Sequence, residues 1–181
     1  MMFHKLGLIN KNQRGFTLME IVLVFAISGI IASSITMTLF QVVNGSGRTN
    51  NHMTAVRQVQ NAGYWVSHDA QLAQSIEIDD NPLGGGFPLV LSWTGWDDVE
   101  HEVTYSLENM VGGPKQLKQS YSIGSELTET IVAQFINPDP EKTKCEFTDG
   151  MLVFTVTATV GYGSQEQSET RVYEIVPRPG L

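Results

Sequence analysis

Arg14-Gly15-Phe16-Thr17-Leu18-Met19-Glu20 is the stretch of sequence that decides the fold, and an apolar run that continues to Val43 follows it. Between Arg14 and Arg48 the only formal charge is Glu20. A charged side chain at the centre of a membrane helix costs about 2.5–3.5 kcal/mol on insertion scales, so such residues are functional candidates that need a partner. The first question that the sequence raises is therefore what Glu20 pairs with.

The apolar segment Phe16–Val43 is long enough to cross a membrane. As a helix at about 1.5 Å per residue it would reach roughly 42 Å, against a hydrocarbon core of about 30 Å. Its interior contains small residues, among them Ala26, Gly29 and Ala32, which allow helices to approach one another closely in lipid. We expect this segment to contact other helices as well as lipid.

Charge is distributed unevenly along the chain. Residues 1–15 contain Lys5, Lys11 and Arg14 and no acid, whereas the rest contains eight basic and nineteen acidic residues, a net charge of −11. Basic residues that flank a membrane segment stay in the cytoplasm. This predicts a single-pass protein whose residues after Val43 lie on the other side of the membrane. Because so acidic a domain does not attract phosphate, we expect no nucleic acid as a direct partner.

A conventional secretory signal peptide is the simpler interpretation of this N-terminus, with Ala32-Ser33-Ser34 as the cleavage site. Two features oppose it, since Glu20 lies inside the apolar region and that region continues to Val43. The segment Gly15-Phe16-Thr17-Leu18-Met19-Glu20 ahead of a long apolar helix instead resembles the class III leader of type IV prepilins and type II secretion pseudopilins.

This resemblance implies how the chain is processed and assembled. A membrane prepilin peptidase would cut between Gly15 and Phe16 and would N-methylate Phe16 as the new N-terminus. In a filament the Glu20 carboxylate would pair with the Phe16 amine of a neighbouring subunit, which fixes the registry between subunits. The partners that the resemblance implies are prepilin peptidase, other pilin subunits, an inner-membrane assembly platform and the ATPase of that platform.

A second helical segment follows the anchor. Asn44–Gly47 contains two glycines, each of which weakens a helix by about 1 kcal/mol relative to alanine, so we expect a hinge or melted turn, or a helix end. From residue 48 helical spacing resumes and predicts a helix to about Ser75 that packs on a sheet. The apolar stripe consists of Val56, Val59, Gly63, Val66, Ala70 and Ala73, and Trp65, Leu72 and Ile76 widen it.

After Ile76 the apolar period changes to two, which predicts strands. The predicted strands are residues 87–93, 99–107, 117–123, 130–136, 144–148, 151–160 and 170–176. Asp149-Gly150 predicts a two-residue hairpin. The predicted fold is α+β and pilin-like, a long N-terminal helix packed on an antiparallel sheet. Its parts are a cytoplasmic leader (1–15), a transmembrane and filament-core helix (16–43), an amphipathic helix (44–75) and an extracytoplasmic β-rich domain (76–181).

The strand pattern is also similar to that of a subgroup. Val103–Leu107, a glycine turn and Leu117-Lys118-Gln119 are similar to a hairpin of J-type minor pseudopilins and W-type minor pilins. Many Gram-negative major pilins have a C-terminal cysteine pair, whereas this chain has only Cys145, which excludes an intramolecular disulfide. These features favour a minor subunit.

Catalytic motifs are absent from the sequence, and we predict that the protein is not an enzyme. No GxSxG, HExxH or paired-cysteine metal framework is present. His68-Asp69 suggests a catalytic pair, but adjacent residues of a helix point in different directions. We expect no cofactor other than Ca²⁺, for which Asp97, Asp98 and Glu100 are the candidate ligands, and a solvated acidic strand edge is the alternative interpretation.

Two tryptophans, Trp93 and Trp96, flank a predicted turn. They indicate either packing in the core and the loop or a contact with a carbohydrate or a partner. A contact of the tryptophans with a carbohydrate or a partner would fit an alternative function for the whole chain. In that alternative the protein is a membrane-anchored extracytoplasmic binding module, for a sugar or a metal, that is not built into a filament.

Overall fold

The computed structural model describes residues 15–81, 84–111 and 113–178. Of the predicted leader, residues 1–15, all but Gly15 lie outside the described residues. The chain falls into two compact units, with the boundary between Val43 and Asn44. The observed architecture is α+β and pilin-like, as predicted.

A single helix, α1, extends from Leu18 to Leu72. Its residues up to Val43 are all exposed. Gly45 and Gly47 are both helical, so neither a melted turn nor a helix end is present at these glycines. The helix also ends earlier than predicted, because Ser75 already belongs to the first strand.

The strands form an antiparallel sheet in the order β1-β2-β3-β4-β5-β7-β6, and β8 pairs with the other edge of β7. A short 3₁₀ helix, Gly163–Gln165, precedes the last strand. The strands are β1 (Ser75–Ile78), β2 (Leu89–Thr94), β3 (Glu100–Asn109), β4 (Lys115–Ile123), β5 (Glu126–Ile136), β6 (Lys144–Thr148), β7 (Met151–Val160) and β8 (Gln167–Ile175).

Seven of these strands correspond to predicted ones, and the hairpin between β6 and β7 is confirmed. Asp149 and Gly150 both have positive φ, 55° and 77°, and Thr148 faces Met151 across the turn. A type I′ turn needs positive φ at both central residues, which is why Asp-Gly is favoured there. The strand that was not predicted is β1, because Ile76 also fits the helical spacing of the preceding segment.

The core lies between the second half of α1 and the sheet. Val59, Gly63, Val66 and Ala70 are buried as predicted. The prediction that Trp65 and Leu72 widen this stripe was wrong, because both side chains are exposed. The stripe is widened instead by Ala55, Ala62 and Asp69.

Close contact between α1 and β8 depends on Gly63. A Cβ atom at this position would overlap the ring of Tyr173, which lies against the helix. The Tyr173 hydroxyl donates a hydrogen bond to the carbonyl oxygen of Val59 at 3.1 Å, and the ring stacks on Phe154 of the core. The absence of a side chain at Gly63 thus allows the last strand to approach the helix.

Candidate functional site

The N-terminus of α1 is closed by two side chains of the processing motif, Thr17 and Glu20. The Thr17 N–H and the Thr17 hydroxyl each donate to Oε2 of Glu20 at 3.0 Å, and the Glu20 N–H donates to Oγ1 of Thr17 at 3.3 Å. This reciprocal arrangement is a capping box, which satisfies N–H groups that have no partner within the helix. Its sequence signal is Thr-x-x-Glu before an apolar run, which Thr17 and Glu20 supply.

The capping box gives Glu20 a role within its own chain. Its carboxylate lies in the first turn of α1, where the helix dipole favours a negative charge. Oε2 accepts both hydrogen bonds from Thr17, and Oε1 accepts none from the described residues. Gly15 and Phe16 precede the helix, and both are exposed. The predicted cleavage site is thus on non-helical backbone next to the cap.

The residues of the apolar part of α1, from Leu18 to Val43, are all exposed. Among the described residues this is the one helix that is long and apolar enough to cross a membrane, with a mean hydropathy of 2.2 and no buried residue in its most apolar window. Four hydroxyl groups within it are satisfied locally, which lowers the cost of placing them in lipid. Hydroxyls donate to the carbonyl four residues earlier at 2.8–2.9 Å in Ser33, Ser34, Thr36 and Thr38.

A second polar cluster, which the sequence analysis missed, surrounds Asp69 in the core. Oδ2 of Asp69 accepts hydrogen bonds from the Tyr105 hydroxyl and from Nε2 of Gln119, both at 2.6 Å. The other oxygen, Oδ1, lies 3.0 Å from Nδ1 of His68. The argument that adjacent helical residues cannot meet was therefore wrong. Asp69 is only 5% exposed, so these contacts join α1 to β3 and β4 inside the protein.

Two buried groups of the core, the Tyr105 hydroxyl and the Cys145 thiol, have raised pKa values. Burial, and then the neighbouring Asp69 carboxylate, raise the pKa of Tyr105 far above its usual value, so this hydroxyl stays protonated and donates to Asp69. Burial likewise raises the pKa of the Cys145 thiol, so little reactive thiolate forms there.

The candidate calcium ligands lie in the loop before β3 and at its start. Oδ1 of Asp97 accepts a hydrogen bond from the Val99 N–H at 3.3 Å, and Asp98 has a φ of 59°. Glu100 is exposed on β3. Within residues 15–81, 84–111 and 113–178, no group of three or more His, Cys, Asp or Glu is placed to hold a metal ion. Calcium binding stays a prediction.

The two tryptophans occupy different environments. Trp93 is half-buried and stacks on His101 of the neighbouring strand, with ring centroids 5.3 Å apart. Trp96, in the loop between β2 and β3, is 99% exposed, so the expectation that it packs into the loop was wrong. The alternative of a ligand or partner contact stays open for this residue.

Comparison with known proteins bears on the N-terminal part of the chain. The family model for the prokaryotic N-terminal methylation motif matches residues 10–36, which include Gly15, Phe16 and Glu20. No curated protein and no solved structure matches the chain. The matched motif is that of structural pilin-type proteins and not of an enzyme family, and it implies processing by a peptidase and assembly with other pilins in the membrane. The chain therefore carries the type IV prepilin-like signal ahead of a pilin-like α+β fold, and it fits the pilin and pseudopilin families.

Proposed function

We propose that the protein is a minor pilin or pseudopilin, a structural subunit of a type IV pilus or of a type II secretion-type filament. One observation carries this proposal. The methylation motif, residues 10–36, includes the start of a helix whose apolar side chains are all exposed from Leu18 to Val43. Such a helix requires lipid or other helices around it. Lipid surrounds the helix before assembly, and the other helices of the filament core surround it after the subunit has left the membrane.

Processing precedes assembly in this proposal. Prepilin peptidase cuts between Gly15 and Phe16 and methylates Phe16. The leader with its three basic residues stays in the cytoplasm, and the residues after Val43 lie on the extracytoplasmic side of the membrane. An inner-membrane platform and its ATPase then move the processed subunit into the filament. Support comes from the motif, from the charge asymmetry and from the non-helical, exposed backbone at Gly15 and Phe16.

The capping box adds a detail to the role of Glu20. Oε2 is used by Thr17 of the same chain, whereas Oε1 has no partner among the described residues. The carboxylate can therefore cap its own helix with one oxygen and accept the Phe16 amine of a neighbouring subunit with the other. The pair neutralises two charges that would otherwise be costly at the membrane. This arrangement sets the axial registry of the filament.

The test separates the two roles of Glu20 with two variants. Glu20→Gln keeps a capping box, since glutamine also fits that position, but it removes the charge. Thr17→Ala keeps the charge but removes the cap, which costs about 0.5–2 kcal/mol of helix stability. We expect the Glu20→Gln chain to be cleaved and methylated, and then to be missing from filaments. The Thr17→Ala chain should be incorporated at a reduced but measurable level.

Two measurements decide the outcome: the N-terminal mass of the mature chain and the fraction of the chain in sheared filaments. Filament incorporation of Glu20→Gln at the level of the unmodified chain would show that the charge is not needed for registry. A mature chain that starts at Ile35 would support the signal-peptide interpretation and would contradict cleavage after Gly15.

A membrane-anchored extracytoplasmic binding module, not built into a filament, is the second candidate. It is favoured by the half-buried and exposed aromatic residues around Trp93 and Trp96. In this case the full-length chain stays in the membrane fraction, and Glu20→Gln has no effect on its location. The same filament-shearing experiment therefore separates the two candidates.

A further inference from the structure

Aromatic side chains cover the sheet beyond the end of α1. Trp93 of β2, His101 of β3 and Tyr121 of β4 share one face, since Trp93 pairs with His101 and Tyr121 pairs with Val103, two residues along β3. On the same face Val103 is buried in the core. The three aromatic residues, here called the aromatic platform, therefore continue the core face outward, and they remain half-buried.

The three rings of the platform are stacked in a fixed geometry. The ring centroids of Trp93, His101 and Tyr121 are 5.3, 5.9 and 6.1 Å apart, and the ring planes lie within 19° of parallel. Coplanar rings would overlap at these distances, so the parallel rings are offset-stacked on one another. The His101 Nδ1 and the Tyr121 hydroxyl form a hydrogen bond of 2.6 Å, which holds two of the rings in place.

A cavity of about 570 Å³ lies over one side of the platform, within the range of roughly 300–1,000 Å³ that is typical of small-ligand sites. A second cavity, of about 210 Å³, is lined by Trp93, Tyr121 and Trp65, among others. The three tryptophans of the chain thus all border this region. The larger cavity is lined by Leu72, Gln74, Trp93, Trp96, Asp97 and Arg178, among others.

The loop between β2 and β3 places Trp96 beside this cavity. A Cβ atom at Gly95 would lie 2.6 Å from Oδ1 of Asp97 and 2.9 Å from Nε2 of His101, so the loop turns tightly against the platform. Trp96 follows this turn and is 99% exposed. An indole ring in water leaves a large apolar area that a ligand would cover, at about 25 cal/mol per Å² removed from water.

We propose that the aromatic platform and its cavity bind a neutral carbohydrate. A pyranose ring has faces made of C–H groups and an edge made of hydroxyls. The face of an aromatic ring is the negative end of its quadrupole, and it attracts C–H groups laid upon it. At the rim, the Asp97 carboxylate accepts hydrogen bonds from hydroxyls, and the Gln74 amide and the Arg178 guanidinium donate to them.

Charge separates a neutral sugar from other flat ligands. The cavity rim has one acidic and one basic side chain, Asp97 and Arg178, and therefore no formal preference for either sign. Nucleobases also stack on aromatic rings, but they bring phosphates, and the chain after residue 15 has a net charge of −11. A neutral oligosaccharide can contact the aromatic rings without electrostatic repulsion from the negatively charged chain.

The experiment uses the full-length chain solubilised in detergent, titrated with cellohexaose, chitohexaose and maltohexaose. We expect at least one of them to change the tryptophan fluorescence and to bind, by calorimetry, with a Kd on the order of 1 mM or tighter. Trp96→Ala should weaken that binding at least about tenfold, and Trp93→Ala, which removes the second tryptophan that lines the larger cavity, should do the same. Because Trp96 is exposed, its replacement should leave the Tm unchanged.

A matched control is Tyr162→Ala, which removes an exposed aromatic side chain away from the platform and should leave the Kd unchanged. The proposal is overturned if none of the three hexasaccharides binds, or if Trp96→Ala and Trp93→Ala both bind as tightly as the unmodified chain. Binding of a proline-rich peptide at these residues, without any hexasaccharide binding, would assign the platform to a protein partner and would also overturn it. The result does not depend on filament assembly, since the solubilised chain is measured.

Discussion

The two units of this chain use apolar residues in opposite ways. In residues 15–43 every side chain is exposed, and the helix is held by its backbone hydrogen bonds and by the Thr17–Glu20 cap. In the second unit, from Asn44 onward, apolar side chains of the helix and the sheet bury one another. The first unit needs an environment supplied by lipid or other subunits, whereas the second supplies its own. Function can therefore be inferred from a short motif in the first unit, whereas the core of the second specifies mainly its fold.

The largest predicted effect tests this difference directly with two phenylalanines. Phe154 is fully buried in the core, and Phe25 is 73% exposed on the apolar helix. Phe154→Ala should lower the free energy of unfolding of the second unit by about 3–5 kcal/mol, because it removes buried apolar contacts and leaves a cavity. Phe25→Ala should change it by less than about 0.5 kcal/mol. Denaturant unfolding of the solubilised full chain, followed by circular dichroism in the β-sheet region, measures both.

A similar loss of stability in the two variants would contradict the comparison. It would mean that Phe25 packs in the second unit or that Phe154 does not contribute to its core. Phe25→Ala should instead affect filament assembly, where helices contact one another, so sheared filaments supply the complementary measurement for this variant.

The sequence specified the fold well where the signal is local. Helical spacing predicts the buried face of α1, alternation predicts seven of the eight strands, and Asp149-Gly150 predicts its turn. Local patterns fail where two periods overlap, as at Ile76, which fits both the helical stripe and strand β1. They also misplace Trp65 and Leu72, because an apolar side chain on the edge of a helix face is buried only if the sheet extends beneath it.

The candidate sites show the same limit. The leader motif and the capping box are contiguous in sequence, and both can be found there. The cluster around Asp69 brings together residues 36 and 50 positions apart, and only the packing of helix on sheet unites them. The aromatic platform depends on the pairing that sets Trp93 opposite His101. A single sequence does not reveal that register.

The second prediction concerns two glycines of α1 and has an intermediate effect. Gly63→Ala places a Cβ atom against Tyr173 and should lower the free energy of unfolding by about 1–3 kcal/mol, as in other overpacked cores. Gly45→Ala meets no atom within 4 Å and should stabilise the helix by up to about 1 kcal/mol. Thermal unfolding of the two variants should thus shift Tm in opposite directions. A neutral Gly63→Ala would mean that the Tyr173 ring can move away without loss.

The smallest predicted effect is the decrease in the free energy of unfolding of the second unit at alkaline pH. Burial and the Asp69 carboxylate raise the pKa of Tyr105 above its ordinary value of 10.0. The native protein therefore keeps this proton above pH 10, whereas the unfolded chain loses it. Because the unfolded state then binds fewer protons, the free energy of unfolding falls as pH rises above 10, by at most about 1.4 kcal/mol per pH unit from this group.

Tyr105→Phe tests this contribution. At neutral pH the variant should be less stable by about 1–3 kcal/mol, because Asp69 and Gln119 lose a buried hydrogen-bond partner. Above pH 10 the difference should shrink, because phenylalanine has no proton to lose. Tyr121 and Tyr173, whose pKa values burial also raises, retain part of the alkaline slope in the variant.

Denaturant unfolding between about pH 8 and pH 11 measures the slope, with Tyr162→Phe as the exposed control. A difference that stays constant over that range would mean that the proton of Tyr105 is lost as easily in the folded protein as in the unfolded chain, and that the hydrogen bond to Asp69 does not hold it.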